Sequence, residues 1–212
     1  MVATSLHSQD ILPVKHWTSK AHLKELKELG CLVLHEIDVC NMNKHHTLRN
    51  MKFDIIVFNF PHAGHFSWLN ERDTELINMH RELIKAYFTS GKEMLKVGGE
   101  IHVTHRNDYP YNNRWKVKKI GKQAGLDLKE KVEFLQANYP GYHNKRGSNI
   151  NCNKKFPLRD FYTFKFTLKM KSLGVKLAMK TQKVQAVIQI ALLLKRRQRN
   201  FCDLSRDEYL LI

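Results

Sequence analysis

Apolar and polar residues are grouped along the first 168 positions in blocks that predict alternating strands and helices. The segments MVATSL, CLVLHEIDV, FDIIVF, EIHVTH, LKEKVEFL and DFYTFKFTL are predicted as strands. Helical spacing predicts a helix ending near Leu29, a longer one from Asp73 to Gly98 and Gly99, and a basic helix over NRWKVKKIGKQAG. Repeated β-α-β units favour an α/β fold, in which a parallel sheet carries helices on both faces.

One predicted strand runs directly into a polar and aromatic turn. Five of the six residues in FDIIVF, positions 53–58, are apolar without alternation, which is typical of a strand covered on both faces. The turn NFPHAG follows it. Ligands of open α/β sheets bind beyond the carboxyl ends of the strands. We therefore predict that Asn59, Pro61 and His62 lie at a functional site.

The length and the apolar content predict one domain followed by an extension. The chain has 212 residues, 42% of them hydrophobic, which is enough for one core. We place the domain at residues 1–170 and a basic, helical extension at residues 171–212. The extension contains VQAVIQIALLL followed by KRRQR, a cluster of a kind that can serve nuclear import. Its apolar run is too short to span a bilayer, so it is either a surface or partner-binding helix or an unpacked segment.

The net charge of +16 is distributed very unevenly along the chain. Residues 1–113 carry 13 basic and 13 acidic side chains, whereas residues 114–212 carry 23 and 7. An excess confined to one half favours a polyanionic partner. Aromatic residues alternate with the basic ones in YPGYHNKRG, which favours nucleic acid over a membrane.

Two loops have the composition of a surface that binds single-stranded RNA. DYPYNNRW (108–115) and YPGYHNKRG (139–147) combine aromatic rings, on which bases stack, with Arg and Lys, which bind phosphates. The alternative is two tight turns whose tyrosines pack against the domain. The predicted RNA-binding residues are Tyr109, Arg114, Tyr139, Tyr142, Lys145 and Arg146.

Cysteine and histidine spacing gives no reason to predict a metal site. The four cysteines are widely separated, which predicts neither a zinc site nor a dense disulfide framework and favours reduced thiols inside a cell. No apolar leader opens the chain. His102 and His105 lie three positions apart on a predicted strand and should point to opposite faces, so a shared metal is not expected.

Four segments carry a close family resemblance: FDIIVFNFPHAG, GGEIHVTH, YPGYHNKRG and FPLRDFYTFKF. In order and spacing, over residues 2–168, they resemble the eukaryotic rRNA (uridine-N3)-methyltransferase-like family, particularly its plant members. The resemblance implies a Rossmann-like methyltransferase that uses S-adenosylmethionine to methylate N3 of a uridine in large-subunit ribosomal RNA. Ribosomal RNA is then the expected partner, and the nucleolus or nucleus, or alternatively the cytoplasm, the expected location.

The resemblance is incomplete at the amino terminus. Family members begin with a strand and a Gly-rich acidic loop that holds the methionine end of the cofactor, and that unit would precede Met1. The segment VATSLHS resembles the family's second strand, and His7 stands where an acid suited to ribose hydroxyls is usual. The resemblance thus implies a fold that lacks one central strand and binds S-adenosylmethionine doubtfully. A catalytically inactive RNA-binding or interaction module is the alternative function.

The resemblance also implies roles for individual residues. Asp38 corresponds to a contact with the cofactor's adenine, although an Asp at a strand end can equally cap a turn. Asn59 and Pro61 are expected to line the slot for the target base, and Asn59 also to border the cofactor. Because N3 of uridine must lose a proton, His62 is predicted as the base, with His105 as a second candidate.

Overall fold

The structure is a computed structural model that describes residues 1–106, 114–146, 153–158 and 160–169. Its strands are β1 Val2–Thr4, β2 Leu32–Leu34, β3 Phe53–Asn59, β4 Leu95–Arg106, β5 Leu126–Glu133 and β6 Phe161–Leu168. Its helices are α1 Ile11–Lys15, α2 Ser19–Glu28, α3 Thr74–Lys92 and α4 Val117–Gln123, with short 3-10 turns at Met42–Lys44 and Gln136–Asn138. The predicted extension, residues 171–212, and Tyr109 lie outside the described residues.

The strands form two sheets. β1 and β2 pair in parallel, while the larger sheet has the order β3-β4-β6-β5. β3 and β4 are parallel, as a β-α-β unit requires, but β6 runs antiparallel to both β4 and β5. The α/β class is therefore confirmed, and the wholly parallel sheet is wrong. Between β5 and β6 the described residues contain no crossover helix, so the chain can return in the opposite direction.

The division of the sheet falls between β1 and β3. Within the described residues, β1 pairs only with β2, and β3 only with β4. Both parts still share one core, because Val2 and Leu34 pack against the cluster that holds the larger sheet together.

The core lies between α3, α4 and the larger sheet. Tyr87 of α3 is fully buried, and its hydroxyl lies 3.0 Å from the carbonyl oxygen of Ile56 on β3 and 2.9 Å from that of His102 on β4. Burial raises the pKa of Tyr87 well above its ordinary value, so the hydroxyl stays protonated and can donate. α3 is thus fixed across the two strands whose ends form the site. The fully buried apolar residues include Leu76, Ile77, Ile84, Phe88, Ile101, Val103, Leu126 and Phe166.

The prediction that β3 is covered on both faces is wrong. Ile56 and Phe58 pack against the core, but Ile55 and Val57 on the opposite face are 54% and 53% exposed. No described element covers that face. An unbroken apolar run is typical of a strand buried on both faces, but it does not show that other elements pack against both faces.

Two helix predictions also need correction. α3 begins after Asp73 as expected but ends at Lys92, and Gly98 and Gly99 lie within β4 rather than at the helix end. Gly99 is required there, because a Cβ would lie 2.9 Å from the backbone oxygen of Phe53. α2 ends at Glu28 as predicted, yet none of its residues is buried. No helix in the described ranges has the length and apolarity needed to cross a membrane.

Candidate active site at the carboxyl ends of β3 and β4

The turn after β3 is held in an unusual backbone conformation. Phe60 has φ of +52°, a left-handed value that costs a non-glycine residue roughly 1–2 kcal/mol. Its N–H donates to the carbonyl oxygen of Thr104 on β4 at 3.0 Å. Its ring packs against three other rings at centroid distances of 5.0 to 5.4 Å, those of Phe134, Phe156 and Phe161. This packing fixes the direction in which the chain leaves the strand.

A cavity of about 260 Å³ opens beside this turn. Its walls come from the turn itself, from the end of β4, from the start of the α4 segment and from the loop between β5 and β6. They combine aromatic rings, imidazoles and three cationic side chains with one carboxylate. The lining residues are Phe60, Pro61, His62, His65, Glu71, His105, Arg106, Trp115, Lys145, Arg146, Phe156, Pro157 and Phe161.

Imidazoles surround the Glu71 carboxylate on one side of the cavity. His62 Nε2 lies 3.1 and 3.2 Å from its two oxygens, and His80 Nε2 lies 3.8 Å from Oε2. The backbone N–H of Gly64 donates to His62 Nδ1, and that of Ala63 donates to His80 Nδ1, both at 3.1 Å. Because each Nδ1 accepts a hydrogen bond, the proton of each neutral ring sits on Nε2. His62 therefore donates to Glu71 from Nε2.

The same three side chains have ligand atoms within 4.8 Å of one another, close enough to suggest a metal site. The backbone donors argue against it. A metal at Nε2 needs the lone pair of that nitrogen, which places the ring proton on Nδ1. That proton would face the N–H of Gly64 or Ala63 and leave the amide without its acceptor. The donor set fits a hydrogen-bonded carboxylate better than a cation.

Hydrogen bonding and burial lower the pKa values of Glu71, His80 and His65. The hydrogen bond from His62, and next the His80 ring, hold the pKa of Glu71 well below its usual range, so Glu71 is a carboxylate. Burial lowers the pKa of His80, which is enclosed in the core, and also that of His65. The cluster thus joins the Glu71 carboxylate to His65 and His80, two imidazoles whose lowered pKa values favour the neutral ring.

His105, at the end of β4, forms the opposite wall. It is buried, and its Nδ1 contacts the carbonyl oxygen of Arg106, to which it donates. The proton of the neutral ring is then on Nδ1, which leaves the lone pair on Nε2. The Trp115 ring lies between two imidazoles, 3.9 Å from His105 and 4.1 Å from His80. His105 therefore has a fixed tautomer and a fixed ring position.

The structure brings together part of the predicted catalytic set. Pro61, His62 and His105 line one cavity, but Asn59 does not. The Oδ1 of Asn59 accepts a hydrogen bond of 2.7 Å from the Thr104 hydroxyl, which ties β3 to β4. His62 has both ring nitrogens in contacts within the protein, so its geometry suits a positioning role more than that of a free base.

The predicted cofactor side is less complete. Asp38 is exposed, and its Oδ1 accepts the N–H of Cys40 at 2.9 Å, the turn contact that sequence reasoning held open as its alternative. His7 Nε2 lies 3.3 Å from Lys15 Nζ, and burial together with Lys15 lowers the pKa of His7. Its lone pair therefore faces an ammonium group rather than a ribose hydroxyl. These residues fit S-adenosylmethionine poorly.

Of the predicted RNA-binding residues that the structure describes, two line the cavity and three make contacts elsewhere. Lys145 and Arg146 line the cavity. Tyr139 stacks on Phe134 at 5.0 Å, and Tyr142 is partly buried. The Arg114 guanidinium donates to the carbonyl oxygen of Arg72 at 2.7 Å, a contact that holds the segment before α3.

Several functional residues were missed at the sequence level. Trp115 and Phe161 line the cavity from segments that are distant in the chain. Trp115 ends the DYPYNNRW loop that was predicted to bind RNA but was not itself singled out, and Phe161 was predicted only as part of a strand. Glu71 lies in a loop of ordinary composition. His80 did give a signal, because a histidine at a core position of the apolar face of α3 needs a polar partner.

Comparison with known proteins decides the family. Residues 1–146 match the model described as rRNA (uridine-N3-)-methyltransferase BTM5-like. The chain belongs to this family. The predicted family resemblance is thereby confirmed. The match extends from β1 to Arg146.

Curated proteins similar to the chain include two from Arabidopsis thaliana and one from yeast. The chain is 40% identical over 168 residues to an uncharacterized protein of Arabidopsis thaliana, with 79% of this chain and 80% of the relative covered. It is 40% identical over 164 residues to heavy metal-associated isoprenylated plant protein 41 of the same plant, covering 77% and 31%. It is 24% identical over 200 residues to the 25S rRNA (uridine(2634)-N(3))-methyltransferase of Saccharomyces cerevisiae, covering 69% and 58%. The chain thus spans only part of two of these proteins.

Proposed function

We propose that the chain acts in the S-adenosylmethionine-dependent methylation of N3 of a uridine in ribosomal RNA, and that the cavity beyond β3 and β4 receives the target base. Support comes from the family and from the name of the yeast relative. The observation that carries the proposal is the buried His105, which has its proton on Nδ1 and lies in a cavity with three cationic side chains. A uridine in a folded RNA must leave its stack to reach such a cavity.

His105 is proposed as the base. N3 of uridine carries an imide proton that must be removed before or during transfer of a methyl group. The Nε2 lone pair of His105 can accept it, because donation from Nδ1 to the Arg106 carbonyl stabilises the imidazolium that forms. His62 and Pro61 shape the opposite wall, and Glu71 holds the His62 ring in place.

The cationic residues would stabilise charge on the deprotonated base. Loss of the N3 proton places negative charge on the two flanking carbonyl oxygens of the uracil ring. Arg106, Lys145 and Arg146 line the cavity and supply donors to such oxygens or to the adjoining phosphates. Trp115 and Phe161 offer apolar ring surface against which a base can pack.

When bound, S-adenosylmethionine supplies the methyl group. His7 and Asp38 of this chain offer it few acceptors, as described above, so its affinity should be low and assays need millimolar cofactor. Ribosomal RNA is the proposed partner. The nucleolus or nucleus is the proposed location if precursor rRNA is the substrate, with the cytoplasm as the alternative.

Nucleoside analysis tests the proposal. The full chain is incubated with large-subunit rRNA and millimolar S-adenosylmethionine, and the digested RNA is examined by mass spectrometry for 3-methyluridine. Formation of 3-methyluridine is expected, and methylation at a different atom would contradict the proposal. RNA binding without any methylation would instead support the alternative, a catalytically inactive RNA-binding module.

A further inference from the structure

A second cavity lies where residues 141–145 meet the region of α1 and α2. It has a volume of about 700 Å³, within the range of small-ligand sites. Trp17, between α1 and α2, is 73% exposed. The described lining residues are Leu12, His16, Trp17, Thr18, Ser19, His22, Leu23, Leu26, Gly141, Tyr142, His143, Lys145 and Lys155.

The lining is both basic and aromatic. Two lysines and three histidines contribute to it, and no carboxylate does so among the described residues. Lys145 Nζ lies over the exposed Trp17 ring, 5.9 Å from its centroid. The Ser19 hydroxyl is buried in the wall and has no hydrogen-bond partner in the described part of the chain.

The two cavities share a residue and a fixed wall. Lys145 lines both of them. Its Nζ donates to the carbonyl oxygen of Asn153 at 3.3 Å, and Asn153 Nδ2 donates to the carbonyl oxygen of Lys15 at 2.7 Å. These bonds join the loop region to the end of α1, so the second cavity is bounded by two elements that are held together.

We propose that this second cavity binds the nucleotides that flank the target uridine, with a base on Trp17 and phosphates at Lys145 and Lys155. The inference rests on the proposed function, since it extends the path of the RNA from the base cavity across Lys145. Bases stack on exposed aromatic rings without regard to sequence, and ammonium groups bind the phosphates between them. A carboxylate-free wall suits a polyanion.

Binding of RNA in the absence of cofactor tests the inference. Fluorescence anisotropy is measured for the full chain with a short, fluorescein-labelled single-stranded RNA. Trp17→Ala should weaken binding by about fivefold or more, the effect of losing one stacked base. Trp68→Ala is the matched control, because Trp68 is 72% exposed and lines neither cavity, and it should stay within about twofold.

A second pair of variants tests the charge. Lys155→Gln should reduce the slope of log affinity against log salt by the amount expected for about one lost phosphate contact. Lys20→Gln should leave the slope unchanged, because Lys20 is an exposed residue of α2 outside the lining. Circular dichroism verifies that all four variants are folded.

Three results would overturn the inference. The first is equal RNA affinity for the Trp17→Ala and Trp68→Ala variants, and the second is an unchanged salt slope for Lys155→Gln. The third is that Trp17→Ala and Lys155→Gln weaken the binding of labelled polyglutamate but not that of RNA. The last would mark a site for acidic peptides. Because no methyl transfer is measured, failure here is distinct from failure of the proposed function.

Discussion

At the scale of single residues, the tautomers of the histidines decide which of them can act as a base. His62 and His80 each accept a backbone N–H at Nδ1, whereas His105 donates from Nδ1 to a carbonyl oxygen. Only the last arrangement places the proton of the neutral ring on Nδ1 and the lone pair on Nε2. Sequence analysis identified both His62 and His105 as candidates and preferred His62, since the direction of a backbone N–H cannot be deduced from residue types.

Replacement of His105 tests its role. His105→Gln should lower the rate of uridine methylation by about 10²- to 10⁴-fold, the usual contribution of a general base. The remaining activity should rise with pH, because hydroxide then removes the N3 proton. His102→Gln is the control, since His102 lies on the same strand but pairs with Glu100 at 2.7 Å outside the cavity. Equal rates for the two variants would remove His105 from the mechanism.

The buried His80 should make stability depend on pH. Burial holds its folded pKa below the ordinary 6.5, so below that pH the unfolded chain binds more protons than the folded one. The free energy of unfolding should therefore fall as the pH decreases from about 7.5 to about 5.5. Glu71, whose depressed pKa acts only below its ordinary 4.5, adds little in this window.

Urea denaturation at both pH values measures this effect. His80→Asn keeps an acceptor for the Ala63 N–H but does not titrate, so its loss of stability on acidification should be smaller than that of the unmodified chain. His65, whose pKa is also lowered by burial, accounts for part of the remainder. An equal loss in both proteins would show that His80 is not held neutral by the fold.

At the scale of elements, β3 has one buried and one exposed apolar face. Ile55 is 54% exposed, whereas Ile101, on the neighbouring β4, is completely buried. Ile101→Ala should lower the free energy of unfolding by about 2–5 kcal/mol, as expected for a core cavity, and Ile55→Ala by less than about 1 kcal/mol. Chemical denaturation of both variants provides the comparison. A large loss for Ile55→Ala would mean that its face is covered.

The elements show how far sequence reasoning reaches. Every predicted strand and helix within the described ranges is present, because local apolar spacing determines these elements. The predictions of a parallel direction for β6 and of an α3 end at Gly98 and Gly99 were wrong, since both features depend on contacts between distant segments. The same limit applies to the site. The NFPHAG motif predicted one wall of the cavity, whereas Trp115 and Phe161 come to the cavity only when distant segments fold together.

At the scale of the whole molecule, the two sides of the methyltransferase fold are unequally developed. The side proposed to receive the base has a cavity lined by an imidazole cluster, while on the side proposed for the cofactor His7 faces Lys15 and Asp38 closes a local turn. Isothermal titration calorimetry should therefore find a dissociation constant for S-adenosylmethionine weaker than about 1 μM, a binding free energy less favourable than about −8 kcal/mol. Tighter binding would show that other residues complete the cofactor site.

The central claim is that a uridine enters the cavity beyond β3 and β4. Large-subunit rRNA fragments that contain 4-thiouridine are bound to the full chain, photo-crosslinked, and mapped on the protein by mass spectrometry. This measurement needs neither cofactor nor turnover. We predict crosslinks on the cavity lining, at His105, Trp115 or the Pro61–His62 turn. Crosslinks confined to surfaces away from this cavity would contradict the account.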